Sequence, residues 1–247
     1  MFIAASTHNF GTQPFADTCG QVVDLGYDKI ELWLEEEHGP LRPSDLAENP
    51  DRFIALYREL TRLTPIAFHC QNDPGAEHFE GLCRLGKMMR ITQITLPAGV
   101  LGTPFNEEID RLRKRLAVAN SAGMRLSLKT QNGYLTEDPQ TAVELCQSVT
   151  GLGLTLDVSY YQCGKYANQS IDALYPYVSH VHLRDTTSTQ LQVPVGLGEV
   201  DYARIISLLR RVNYNRALSI EFLPELFGSN DRGLEMRKIR MLIETLL

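Results

Sequence analysis

Residues 178–185 read VSHVHLRD. As a strand, this stretch turns His180, His182 and Arg184 to one face and Val181 and Leu183 to the other, because successive side chains alternate. The alternation recurs in RLSLKT (125–130), where Leu126 and Leu128 oppose Ser127 and Lys129, and in GLTLD (153–157), where Leu154 and Leu156 oppose Thr155 and Asp157. In RALSIEF (216–222), Leu218, Ile220 and Phe222 oppose Ala217, Ser219 and Glu221. A strand polar on one face ordinarily borders water. Here each segment is followed by a helical pattern, which marks parallel strands with helices packed over them. The apolar set must then lie beneath the helices, and the polar set must face the other way.

Outward from these four segments, FIAAS (2–6), KIELWL (29–34), PIAFHC (65–70) and QITLP (93–97) supply four more strands. Helices are expected over Pro14–Leu25, from Ser44 or Asp45 to Leu63, over Pro74–Met89, and from Pro104 to Ala122 with Thr103 as cap. Further helices open at Asp138–Pro139, between Ile171 and Tyr175, at Asp201 and at Leu234. Eight βα units with no composition break predict one domain, residues 1–247, folded as a closed (β/α)8 TIM barrel. Its lumen should receive Glu31, Trp33, Ala67, His69, Thr95 and Pro97 from the earlier strands.

Composition narrows the function. The 247 residues carry a net charge of -6 and no basic stripe, so no nucleic acid is expected as a partner. No run approaches the roughly 20 apolar residues of a membrane span, and MFIAAS lacks the form of a secretory leader, so a cytoplasmic protein is expected. Five scattered cysteines without a C-x-x-C pair argue against disulfides and structural zinc.

The ionisable residues sit late in their strands, at the end where barrel enzymes keep their chemistry. Burying Lys129, Asp157 and Glu221 without a role would cost several kcal/mol per ion unless each is paired. Lys129, Asp157, His182 and Glu221 are therefore the candidate site. His8, on the loop after the first strand, is placed for substrate contact. His180 lies one inward step deeper and reads as a packed, hydrogen-bonded residue, whereas His38 and His78 read as surface residues.

The set IELW, FH, LTLD, HVHLRD, GLGEVDY and SIEF resembles the xylose isomerase-like TIM barrels, which include sugar isomerases and epimerases, inosose dehydratases and apurinic endonucleases. The resemblance covers nearly the whole chain. It implies a sugar or keto-inositol isomerase or epimerase that moves a proton next to a carbonyl, with Glu221, Lys129 and His182 catalytic. His8, Trp33, His69, Tyr160 and Arg184 would bind substrate. Sugar-processing members hold one divalent metal (Mn, Mg or Zn) with Glu, Asp, His and Glu from strands five to eight, so Asp157, His182 and Glu221 match three ligands. The fourth position carries Lys129, and a protonated lysine is no ligand. Lys129 is expected to replace the metal's charge by pairing with Asp157 and Glu221; the alternative keeps a metal on Asp157, His182, Glu221 and waters, with Lys129 swung away. Tyr160 stands where the family often has His, and TTSTQ (186–190) lacks the family's arginine. A dehydratase and a non-catalytic carbohydrate-binding barrel remain as alternatives, and a homo-oligomer is compatible with either.

Overall fold

The computed structural model describes residues 1–167, 169–227 and 231–247. Eight strands form a closed barrel in sequence order: β1 (Phe2–Ser6), β2 (Lys29–Leu34), β3 (Thr64–Cys70), β4 (Gln93–Pro97), β5 (Arg125–Lys129), β6 (Gly153–Asp157), β7 (Val178–Leu183) and β8 (Ala217–Ile220). Every neighbouring pair is parallel, and β8 closes on β1. The helices are α1 (Phe15–Asp24), α2 (Pro43–Glu48), α3 (Pro50–Leu60), α4 (Gly75–Met89), α5 (Phe105–Ser121), α6 (Pro139–Ser148), α7 (Ser159–Gln162), α8 (Tyr202–Arg211) and α9 (Arg232–Glu244). This is the expected (β/α)8 barrel. None of the described helices is long and apolar enough to cross a membrane.

The expected division of faces holds. Leu126, Leu128, Leu154, Leu156, Leu218 and Ile220 are fully buried in the apolar shell, each contributing about 1.5–3 kcal/mol of burial. Inside, a layer of hydroxyls closes the lumen without charge. Thr95 Oγ1 lies 2.8 Å from Thr155 Oγ1, Ser127 Oγ lies 2.6 Å from the same atom, and Gln93 Nε2 donates to Ser127 Oγ at 2.6 Å. The three hydroxyls therefore satisfy one another.

Three helix boundaries differ from the sequence reading. The single helix expected up to Leu63 is two, because Pro50 has no N–H to give and its ring obstructs the preceding turn. Asn49 sits at the break with φ -126° and ψ 57°. Its cap is also different: Arg42 precedes Pro43 at the first helical position, so neither Ser44 nor Asp45 caps it. Pro104, not Thr103, precedes α5. Asp138 does cap α6, accepting from the Thr141 N–H at 3.0 Å.

The loop after β7 is fastened by Asp185, whose carboxylate accepts from the N–H groups of Gly196 and Gly198 at 2.8 and 3.0 Å. A β-carbon at Gly198 would overlap that carboxylate. Glycine in the GLGE segment is thus required by close approach.

Candidate active site

Glu221 directly follows β8, and its position is set by Asn9 in the short turn after β1. Asn9 Nδ2 donates to the carbonyls of Ser6 and Ile220 at 2.8 and 2.9 Å, and Asn9 Oδ1 accepts from the Phe222 N–H at 2.5 Å. One side chain thereby fixes the backbone on both sides of Glu221. Lys129 ends β5, its carbonyl held by Thr136 Oγ1 at 2.7 Å. Its ammonium crosses the lumen and donates to both Glu221 oxygens, at 2.7 Å to Oε1 and 2.6 Å to Oε2. Both side chains are buried.

Imidazoles fill the space around this pair. His8 Nδ1 lies 3.1 Å and His69 Nδ1 3.2 Å from Glu221 Oε1, and His182 Nδ1 lies 3.0 Å from Oε2. The His69 and His182 nitrogens are off the line of a hydrogen bond to Glu221. Beneath them, Glu31 accepts from His182 Nε2 at 2.9 Å, from Ser219 Oγ at 2.9 Å, and from His180 Nε2. His182 therefore stands between two carboxylates.

Electrostatics follow this geometry. Burial alone would lower the His182 pKa, but Glu221 and Glu31 outweigh it and raise it to about 9. Against burial, which would raise them, His182 and Lys129 hold Glu221 well below the usual carboxylate range, and His182 and His180 do the same to Glu31. His69 is pushed down to about 3 by burial and by Lys129, so it is neutral. Burial lowers Lys129 as well, against the pull of Glu221.

Asp157 is arranged differently from the sequence expectation. Its carboxylate pairs with Arg184 and accepts from Ser159 Oγ at 2.5 Å and the Ser159 N–H at 3.1 Å. Lys129 makes no ion pair with it among the described residues. Arg184 Nη2 is 3.8 Å from Glu221 Oε2, so the guanidinium joins Asp157 to the cluster. Arg184 is fully buried, with its plane 5.1 Å above the Tyr160 ring. At the mouth, His8 stacks on Trp33 at 4.4 Å, and Trp33 Nε1 donates to Gln71 Oε1 at 3.1 Å.

Lys129, His182, Glu221, His8 and His69 are thus in one contact network. Asp157 is reached through Arg184, while Trp33 and Tyr160 flank the network. The sequence reading missed Asn9, Ser159 and Ser219. Ser219 was visible as the inward residue before Glu221, but a serine carries no charge to draw attention.

The donor set does not fit a divalent cation. Asp157 is held by Arg184, and both oxygens of Glu221 are held by Lys129. His182 Nε2 already meets Glu31 at 2.9 Å, and its Nδ1 lies 3.0 Å from Glu221 Oε2, so both ring nitrogens face carboxylates. The nitrogens and oxygens of His69, His182 and Glu221 do lie within 4.8 Å of one another, as do those of Glu31, His180 and His182. Both groups include His182. Lys129 and Arg184 already stand against Glu221 and Asp157, so an added divalent ion would sit beside two fixed cations.

A search among curated proteins finds no match. Among solved structures, a xylose isomerase-like TIM barrel protein from Mycobacterium smegmatis in complex with magnesium superposes with a TM-score of 0.79 at 18% identity, covering 99% of this chain and 96% of that one. The 3-keto-D-glucoside 4-epimerase YcjR from E. coli gives 0.74 at 15% identity, with 99% of each chain covered. The probable 3-DHS dehydratase AsbF from Bacillus anthracis gives 0.70 at 20% identity, again with 99% of each covered. These likenesses establish the fold. The family model for the xylose isomerase-like TIM barrel matches residues 19–242, nearly the whole chain, and the protein belongs to that family.

Proposed function

We propose that the protein is an isomerase or epimerase of a small polyhydroxylated carbonyl compound, a sugar or keto-inositol, in which Lys129 supplies the positive charge that a divalent metal supplies in sugar-processing relatives. The observation that carries this reading is the Lys129 ammonium, 2.6 and 2.7 Å from the two oxygens of Glu221 at the carboxyl end of the barrel. The epimerases among the structural neighbours favour the same substrate class.

Chemically, proton transfer next to a carbonyl needs a base for the carbon-bound proton and a cation for the developing enediolate oxygen. Lys129 fills the second role, donating to the substrate oxygen in place of Glu221. Glu221 then loses its strongest partner, and its basicity rises as substrate enters. A carboxylate held well below its usual range is a weak base, so this exchange of partners makes the substrate itself switch the base on. His8 touches Glu221 and is the half-buried member of the cluster, so it passes protons between Glu221 and the mouth. Trp33 and Tyr160 offer aromatic faces to the C–H side of a sugar.

The test is solvent exchange. Purified protein, treated with chelator and incubated in deuterated water with a panel of ketoses and keto-inositols, should carry deuterium into the carbon next to the carbonyl of its substrate. Lys129→Met should abolish that exchange. Tight ligand binding with no exchange on any member would assign the chain to the carbohydrate-binding alternative. Loss of water from the substrate without epimer formation would assign it to the dehydratases.

A further inference from the structure

The opposite, amino-terminal mouth of the barrel holds a cavity of about 220 Å³ that the chemistry above does not use. Arg90, Arg125 and Arg216 line it, with Thr92, Ser179 and His180, and no aspartate or glutamate contributes to its wall. Among the described residues, none of the three guanidinium groups is in an ion pair, and Arg125 has its charged neighbour in Arg216, another cation. Bringing like charges together without a carboxylate is unfavourable, and surface arginines ordinarily find acidic partners or solvent.

Three buried polar atoms in the wall lack partners: the donors Arg125 Nε and Ser179 Oγ, and the amide oxygen Gln93 Oε1. Ser179 is only 8% exposed, so water does not readily satisfy it. Arg125 is held in place by its Nη2, which donates to Thr92 Oγ1 at 2.9 Å, while Nε is left free. Arg90 reaches the wall from the end of α4 with φ 62°, a left-handed conformation that glycine usually fills at a helix end. Donors outnumber acceptors, and the positive charge is uncompensated.

We propose that this cavity is a binding site for a small phosphate-class anion, either inorganic phosphate or the phosphate of a monoester. Planar guanidinium groups bind such tetrahedral oxyanions through paired hydrogen bonds, and the Ser179 hydroxyl adds a neutral donor. The volume equals that of about seven liquid waters, enough for a phosphate with a short carbon chain attached. The site lies at the other end of the lumen from Lys129, so the two are separable by mutation.

Isothermal titration calorimetry of the full chain, with sodium phosphate in one arm and glycerol 3-phosphate in the other, tests this. Saturable binding with one site per chain is expected, and Arg125→Gln or Arg216→Gln should each weaken it by about tenfold or more, the value of a charge-assisted hydrogen bond. Thr92→Glu, an exposed position beside Arg125, should abolish binding while the protein still melts cooperatively. His8→Gln, in the far mouth, should leave the affinity unchanged. Tighter binding of the monoester would identify a phosphorylated metabolite as the ligand, and equal binding would identify phosphate itself. No saturable binding up to roughly 10 mM, or binding that His8→Gln weakens and the arginine variants do not, would overturn the proposal.

Discussion

Replacing Lys129 with methionine removes the ammonium and leaves an unbranched apolar side chain one atom shorter. In the folded protein this breaks two short charge-assisted hydrogen bonds, at 2.6 and 2.7 Å, between fully enclosed groups. Breaking a buried pair by removing one partner costs about 3–5 kcal/mol. Glu221 keeps His182 at 3.0 Å and Arg184 at 3.8 Å, so its remaining charge is partly compensated and the lower end applies. A loss of about 3 kcal/mol lowers the melting temperature of a chain of this size by about 6–12 °C. Lys129→Glu is harsher, since it sets a second carboxylate against Glu221 and forces one of the two to hold a proton.

The two variants separate charge replacement from metal binding when melted by circular dichroism with and without manganese. The unmodified protein should be indifferent to the ion, because Lys129 already occupies Glu221. Lys129→Glu takes the cation away from Glu221 and sets a second carboxylate beside it, so this variant offers manganese uncompensated negative charge, and at a hundred times its dissociation constant the ion should restore about 2.7 kcal/mol. Stoichiometric metal in unmodified protein purified without chelator would refute the reasoning. So would a manganese-induced rise in the melting temperature of the unmodified chain, or a Lys129→Met melt within about 2 °C of it.

Stability should also depend on pH in a way the cluster dictates. His182, raised to about 9 from 6.5, contributes stability that is complete below pH 6.5 and is lost as pH rises toward 9. His69, lowered to about 3, contributes stability that is present above pH 6.5 and lost as pH falls toward 3, where Glu221 and Glu31 add their own loss. Urea melts should therefore give a maximum near neutrality, and His182→Gln should flatten the alkaline side; an unchanged alkaline slope would show that His182 is not protonated. Asn9→Ala strands the Phe222 N–H and the Ile220 carbonyl, at about 1–3 kcal/mol for each unsatisfied group, and by loosening the backbone around Glu221 it should depress deuterium exchange more than it raises KM. Gly198→Ala drives a methyl into the Asp185 carboxylate, so limited proteolysis should begin cutting within residues 186–199 while the far side of the barrel stays protected.

Much of this architecture is written in the alternation of residues. Helices present apolar surface, so Leu126, Leu128, Leu154 and Leu156 can only face out, and the alternation places Lys129, Asp157, His182 and Glu221 inward. Alternation assigns a face but not a height, and here the sequence reading stopped. Strands in a closed barrel are tilted and staggered. In the pairing register, Lys129 is level with Thr155, while Asp157 is level with His182, one inward step further along. The Lys129 side chain reaches up and across the lumen to Glu221, two residues beyond Ser219, which is level with His182, and Arg184, two residues beyond His182, turns to Asp157. The partner of each buried cation therefore depends on the stagger between strands five, six and seven. That stagger arises when the sheet closes, so no single strand encodes it. It also explains why one lysine does not serve both carboxylates: Arg184 pairs with Asp157, and Lys129 pairs with Glu221.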